Sequence, residues 1–370
     1  MSQNATFGIV GGYGATGRIV ASLLSKSSGA DLLVGGRDLA RASAFAAQLG
    51  PQASAARLDV LDEQSLGVFC SRCSIIINCG GPVMLLEDRV AQAAFRARRH
   101  YVDAASMGFV RERMLPRGRE LTDLNLCCVV SAGWMPGLTE FLPAYAHAQA
   151  EARMAAIDSV TVYFADGGDW SKNALRDGVG FLRHTGLRRA GYFHKGCPVR
   201  AGMSAAMTSA DLGAPIGRGR FALYSMPELD ELGRRLTGCD FFSYSYVSGL
   251  RSAFAAILLA AVPLPEALAV RLLRNVFRRN RFPVGGFVVV RVVGSARGCR
   301  TAFNTQIVFD KGQDYWLTAV PLAVVARMIA ANSGVRAGVH YLADAVEPGR
   351  FMAELRSAGV QQTEAFEPLD

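Results

Sequence analysis

Apolar residues occur in short runs through the first third of the chain, and segments of helical period separate the runs. Residues 6–10 read as a short apolar strand. Residues 16–27 follow with Ile19, Val20, Leu23 and Leu24 on one helical face. Further strands are expected over 31–35, 55–59, 74–78, 100–103 and 126–131. Helices are expected over 39–49, 63–69, 87–98 and from 133–137 through 150. Strand and helix alternating at this spacing predict an α/β unit built on a doubly wound parallel sheet.

The pattern changes near residue 150. Residues 159–164 alternate in polarity, and 220–224, 286–293 and 301–309 are further strand candidates. These predict a second α+β domain over 151–319 with a mostly antiparallel sheet. Residues 321–332 and 348–358 have helical periods, and the C-terminal helices of 320–370 are expected to return to the first domain, 1–150. Within 253–281 a basic amphipathic helix is expected. Ala269, Leu272, Leu273 and Val276 share one face, and Arg271, Arg274 and Arg278 lie on another. Such a helix packs on its own core or a partner subunit, or lies against an anionic membrane or an acidic carrier protein.

Between the first strand and the first helix stands Gly11-Gly12-Tyr13-Gly14-Ala15-Thr16-Gly17. A glycine pattern in that context is a dinucleotide-binding fingerprint of Rossmann type. Gly11 permits the tight turn, Gly14 lets the backbone approach a pyrophosphate, and Gly17 lets helix and strand pack closely. The helix N-terminus offers N–H groups and a positive dipole end to the phosphates. The alternative is a glycine-rich turn that holds no ligand. The second strand ends in Gly35-Gly36-Arg37-Asp38. Arg37 stands where a guanidinium clamps a 2′-phosphate and stacks on adenine, which favours NADP(H) over NAD. A solvated arginine is the alternative, and Asp38 leaves some NAD use open. Asp59 closes the third strand, where it could reach the adenine amine; a helix cap by Asp59 or Asp62 competes with that role.

Asn78-Cys79-Gly80-Gly81-Pro82 ends the fourth strand and Tyr101-Val102-Asp103 the fifth, both at the edge where open α/β sheets bind ligands. The glycines and proline suit a backbone passing close to the nicotinamide ribose. Asp103 reads equally as a site residue or as a side chain that fixes a loop.

Composition narrows the class. The 370 residues are 51% hydrophobic and 19% charged, as in globular proteins. Mean hydropathy is +0.20, yet no apolar run reaches the roughly 20 residues of a membrane span. Residues 1–6 show no basic signal region, and a cytoplasmic location is expected. The eight cysteines include one pair of ligand-like spacing, Cys70 and Cys73, with no second pair or nearby histidine, so buried free thiols are expected and no metal. Net charge is +9, almost all from arginine. No nucleic-acid motif accompanies it, so an anionic cofactor and a small-molecule substrate are the simpler partners.

Together, the 11–17 loop, Gly36-Arg37, Asn78-Cys79-Gly80-Gly81-Pro82, His100-Tyr101-Val102-Asp103 and Gly133-Trp134-Met135-Pro136-Gly137-Leu138 resemble the saccharopine dehydrogenase-like oxidoreductases. Gly338-Val339-His340-Tyr341 and the following 351–359 are similar to that family's C-terminal stretch. The resemblance implies a nicotinamide-dependent enzyme that reduces an imine or ketimine of an amino-acid-like substrate, or oxidises the secondary amine. A trans-acting enoyl reductase on a carrier-bound or lipid-like substrate and a non-catalytic NADP-binding protein are the rivals. It also implies a nicotinamide site near Asp103 and the 133–137 loop, with Trp134, Met135 and Pro136 as substrate-binding candidates. The segment Gly168-Asp169-Trp170-Ser171-Lys172-Asn173 occupies the place of a hydroxyl-rich substrate loop, and Trp170 and Lys172 depart from the family pattern. Trp170, Ser171 and Asn173 are therefore substrate-binding candidates. An imine is reduced most readily when protonated. Lys172, Asp103, His194 and Lys195 are the leading candidates for that acid, with Tyr163 and His184 behind them. A solvated lysine is the alternative for Lys172. A homodimer is expected.

Overall fold

The computed structural model describes residues 5–26, 30–106, 108–168, 170–185, 191–202, 206–249, 254–255, 258–259, 261–279 and 283–369. The chain divides into two compact units. One is Met1–Leu138 with Tyr315–Gly359, the other Thr139–Asp314 with Val360–Asp370. The helix Leu138–Glu151 groups with the second unit rather than the first. So does the end of the chain, where Gln362–Pro368 is a strand.

In the first unit, β1 (Thr6–Val10), β2 (Asp31–Gly36), β3 (Ala53–Arg57), β4 (Ile75–Asn78), β5 (His100–Asp103) and β6 (Cys127–Val130) join the strand Gly338–Tyr341 in one sheet. The spatial order is Gly338–Tyr341, β6, β5, β4, β1, β2, β3, and every pair is parallel. The chain therefore leaves β1 toward one side of the sheet and resumes at β4 on the other. Val10 pairs with Gly35 across one seam and with Asn78 across the other. The carboxyl ends of β1 and β4 thus flank the topological switch point, where this architecture binds ligands.

The central strands are near-continuous apolar runs because helices cover both faces. Ile9, Ile76, Ile77 and Val102 are wholly buried. Cys73 fills the space over Gly8, where a Cβ would lie 2.5 Å from its Sγ. Of the helices that matter to the site, α1 (Ala15–Leu24) buries Gly17, Val20, Ala21 and Leu24. The next, α2 (Leu39–Leu49), is capped by Asp38, and α3 (Glu63–Ser71) by Asp62. Asp59 instead closes the preceding turn, accepting from the Leu61 amide at 3.0 Å.

The second unit holds a mixed sheet in the order Met207–Asp211, Arg218–Leu223, Asp240–Tyr246, Ala156–Asp166, Gly286–Ala296, Cys299–Phe309, Gln362–Pro368. Strands Gly191–His194 and Cys197–Arg200 attach at Asp240–Tyr246. Ala156–Asp166 pairs in parallel with Asp240–Tyr246, and the other recorded pairs are antiparallel. Among the described residues no helix is long and apolar enough to cross a membrane.

Candidate dinucleotide site

The loop after β1 is closed by its own backbone. Gly14 donates to the Gly11 carbonyl at 2.9 Å, and Gly12 donates to Gly35 at 3.0 Å, tying the loop to β2. Gly11 has φ +69°, which a side chain rarely adopts. A Cβ on Gly17 would stand 2.3 Å from the Gly11 oxygen, so the helix can begin this close to the strand only with glycine there. Gly14 caps α1 with extended backbone and no side-chain hydrogen bond, and Gly14 and Ala15 are exposed. The first turn of α1 thus presents uncapped N–H groups beyond the switch point, an arrangement that fits a pyrophosphate.

Tyr13 lies across the end of β2. Its ring occupies the space over Gly36, where a Cβ would lie 2.2 Å from Cε1. Its hydroxyl accepts from the Asp38 amide at 3.1 Å. The Arg41 guanidinium stands 4.8 Å above the same ring, a cation–π contact. Arg18 donates from Nε to the Tyr13 carbonyl at 3.2 Å and covers Phe45. Arg37, Asp38 and Arg41 are exposed. The Asp38 carboxylate accepts from the Arg41 amide at 3.1 Å, which commits it to capping α2. Sequence reading singled out Arg37 and missed Arg41 and Arg18. The available signal was their spacing, one helical turn after Gly14 for Arg18 and three residues after the cap for Arg41.

Beyond β4 and β5 lies a buried polar chain. Asn78 accepts from the Gly80 amide at 3.0 Å and donates from Nδ2 to the Tyr101 hydroxyl at 3.2 Å. Burial and the neighbouring Asp103 charge raise the Tyr101 pKa well above the usual range. Asp103 is 1% exposed, and its Oδ1 accepts from the Ser131 amide at 2.8 Å. Ser131 has φ +56°, and its hydroxyl shares a 3.0 Å bond with Ser106. Asn78 thus shapes the turn into Cys79-Gly80-Gly81-Pro82, and Asp103 fixes the turn after β6. Burial, followed by the Asp103 charge, pushes the Cys79 thiol up to about 12. The following loop closes on itself. Leu138 donates to the Gly133 carbonyl at 3.0 Å, and Gly137, at φ +127°, would place a Cβ 2.1 Å from that oxygen. Trp134 is buried, and Met135 and Pro136 are half-buried.

The second unit holds the remaining candidates. Ser171 caps the helix Lys172–Thr185, its Oγ accepting from the Ala174 amide at 3.2 Å. Lys172 and Asn173 are exposed in the first turn. The Trp170 indole donates to Asp166 Oδ2 at 2.7 Å and packs against Gly178, which makes it part of that helix's seat. His194 pairs with Asp240 at 2.7 Å on the surface. Lys195, at φ +49°, sits in the turn between two short strands, its amide donating to Cys239. Tyr163 stacks on Tyr244 at 5.4 Å, and burial raises its pKa. Asp169 and the side chains of His184 and Arg278 lie outside the described residues. The apolar face of the basic helix Glu266–Arg279 packs inside its own unit, where Ala269, Val270 and Leu273 meet Leu175 and Val179.

A parallel seven-stranded sheet with a glycine loop at its switch point, followed by a second mixed sheet, defines a two-unit dinucleotide-binding oxidoreductase fold. Residues 7–160 match the saccharopine dehydrogenase NADP binding domain. Over those residues the chain resembles the saccharopine dehydrogenase-like family. Among solved structures, it is similar in fold to the apo histidine-tagged saccharopine dehydrogenase (L-Glu forming) from Saccharomyces cerevisiae. That match has TM-score 0.67 and 13% identity and covers 98% of this chain and 100% of that one. A second match, GenD2 from gentamicin A biosynthesis in complex with NAD, has TM-score 0.45 and 11% identity and covers 99% of this chain and 97% of that one. No curated protein matches the chain.

Proposed function

We propose that this protein is an NADPH-dependent oxidoreductase that reduces the C=N bond of an amino-acid-like imine or ketimine, or oxidises the corresponding secondary amine. The observation that carries the cofactor half is the Asp38 carboxylate, bonded to the Arg41 amide at 3.1 Å. An acid at this point usually serves the ribose hydroxyls of NAD. Here it is held by a helix cap, and Arg37 and Arg41 supply positive charge beside it, which suits a 2′-phosphate. The reaction half rests on the fit to saccharopine dehydrogenase-like proteins, one of whose solved members is named as L-Glu forming.

In this reading the N–H groups of Ala15, Thr16 and Gly17 hold the pyrophosphate, and Arg37 and Arg41 hold the 2′-phosphate. The bound cofactor supplies a hydride to the imine carbon, and the nitrogen takes a proton. Asn78 and Asp103 act as positioning residues, because their oxygens hold the Gly80 and Ser131 backbones. Cys79, Gly80, Gly81 and Pro82, with Met135 and Pro136, line the nicotinamide end. His194 and Lys195 have no part in it.

The test is a pair of titrations and an assay on the whole chain. NADPH is expected to bind at least about tenfold tighter than NADH, a difference of about 1.4 kcal/mol. Equal affinities overturn the cofactor assignment. NADPH consumption that depends on an added amine and 2-oxo acid is expected. NADPH binding without turnover on any imine or secondary amine overturns the reaction.

A further inference from the structure

The helices Lys172–Thr185 and Glu266–Arg279 pack through Leu175, Val179, Ala269, Val270 and Leu273. Alongside that contact they line a cavity of about 770 Å³. Lys172 and Arg176 line it from one helix, and Arg271 and Arg274 from the other. Among the described residues Glu266 is the only acid in this lining, and its Oε1 accepts from Arg176 Nε at 2.6 Å. Lys172, Arg271 and Arg274 are left as three cations, and among the described residues they make no ion pair. Ala267 and Val270 add apolar surface to the lining.

Like charges one helical turn apart repel, at a cost of about 0.2–0.5 kcal/mol per pair. One helix carries such a pair into the concavity, Arg271 with Arg274, and the other adds Lys172, while Arg176 is paired with Glu266. The cavity also lies within the roughly 300–1,000 Å³ of small-molecule sites. Arginine's planar fork matches phosphate and carboxylate oxygens, and three cations left over call for more than one negative charge.

We propose that the second unit binds a small organic polyanion here, a molecule with two or more phosphate or carboxylate charges on a short carbon stem. Lys172, Arg271 and Arg274 hold the charges, and Ala267 and Val270 take the stem. The site lies entirely within the second unit, so the proposal does not depend on the cofactor reading.

Calorimetric titration of the full chain with glycerol 3-phosphate, inorganic phosphate and citrate, each with and without NADPH, tests it. A dissociation constant below about 1 mM for glycerol 3-phosphate or citrate is expected, weakened at least about tenfold in the Arg271→Glu/Arg274→Glu double variant. Binding of glycerol 3-phosphate and phosphate identifies a phosphate ligand, and binding of citrate alone a polycarboxylate. Unchanged NADPH affinity in the double variant shows that its first unit is intact. Where the chain binds no NADPH at all, an unchanged urea midpoint serves as that control. The proposal is overturned if none of the three binds, if the variant binds them as well as the parent does, or if NADPH displaces them. It is also overturned if phosphatidylserine vesicles bind through these arginines while the small anions do not.

Discussion

The Tyr13 hydroxyl and the Asp38 amide meet at 3.1 Å, which fastens the phosphate loop to the chain that leaves β2. Asp38 is held twice, since its carboxylate also accepts from the Arg41 amide. Replacing Asp38 by alanine removes a helix cap, and a loss of about 1 kcal/mol in urea denaturation is expected. NADH affinity should stay unchanged, because Oδ1 already serves the helix cap. A tenfold loss of NADH binding would instead show that Asp38 leaves the cap to hold the ribose. The Arg37→Ala/Arg41→Ala variant should lose NADPH affinity by about tenfold or more and keep its NADH affinity.

Asp103 sits at the far side of the switch point and is buried with its oxygen on the Ser131 amide. Asp103→Ala leaves that amide without its acceptor, at a cost of about 1–3 kcal/mol for the group left unsatisfied. The milder Asp103→Asn separates positioning from proton transfer. With a positioning role, turnover falls and its pH profile keeps its shape. A profile that loses one limb would make Asp103 the proton donor.

The first unit was legible because two signals agreed there. Mostly buried apolar strands alternated with helices, and glycines stood at the one junction where β1 meets α1. Arg41 was not legible, because its place depends on the Tyr13 ring, which lies there only because Gly36 has no side chain. The strands Met207–Asp211 and Gln362–Pro368 escaped because they are half-exposed edges with no apolar face to set a period. Lys172 read as a lone lysine at a helix start. What surrounds it comes from a helix far along the chain, a juxtaposition that no local spacing encodes.

His100 gives the fold a pH dependence of known sign. Its Nδ1 accepts from the Cys127 amide at 3.1 Å, which requires the neutral ring, and burial lowers its pKa below the usual 6.5. The unfolded chain therefore binds the proton first as pH falls. The stability from neutral His100 is complete above about pH 6.5 and is lost as pH drops from there toward the lowered folded value. Urea midpoints measured downward from pH 7 should fall more steeply for the parent than for His100→Asn, which keeps an acceptor and does not titrate. Parallel curves would show that His100 protonates equally in both states.

The thiols should divide sharply in reactivity. Cys197 and Cys299 are exposed, while Cys70, Cys73, Cys127, Cys128 and Cys239 are buried and Cys79 is half-buried. Burial pushes Cys70 and Cys73 up to about 12, and Cys127 and Cys239 up to about 11. The thiolate is the nucleophile, so each unit of pKa above the usual value cuts the reactive fraction about tenfold. A disulfide reagent at mildly alkaline pH should therefore label Cys197 and Cys299 quickly and the other six only after denaturation. Cys79 makes the sharper test. It is only half-buried, yet loss of hydration and, after it, the Asp103 charge hold its pKa at about 12. It should stay slow in the parent, and it should quicken in Asp103→Asn, where that charge is gone. Equal labelling of Cys79 in the two proteins would mean that cover alone, without the Asp103 carboxylate, protects it.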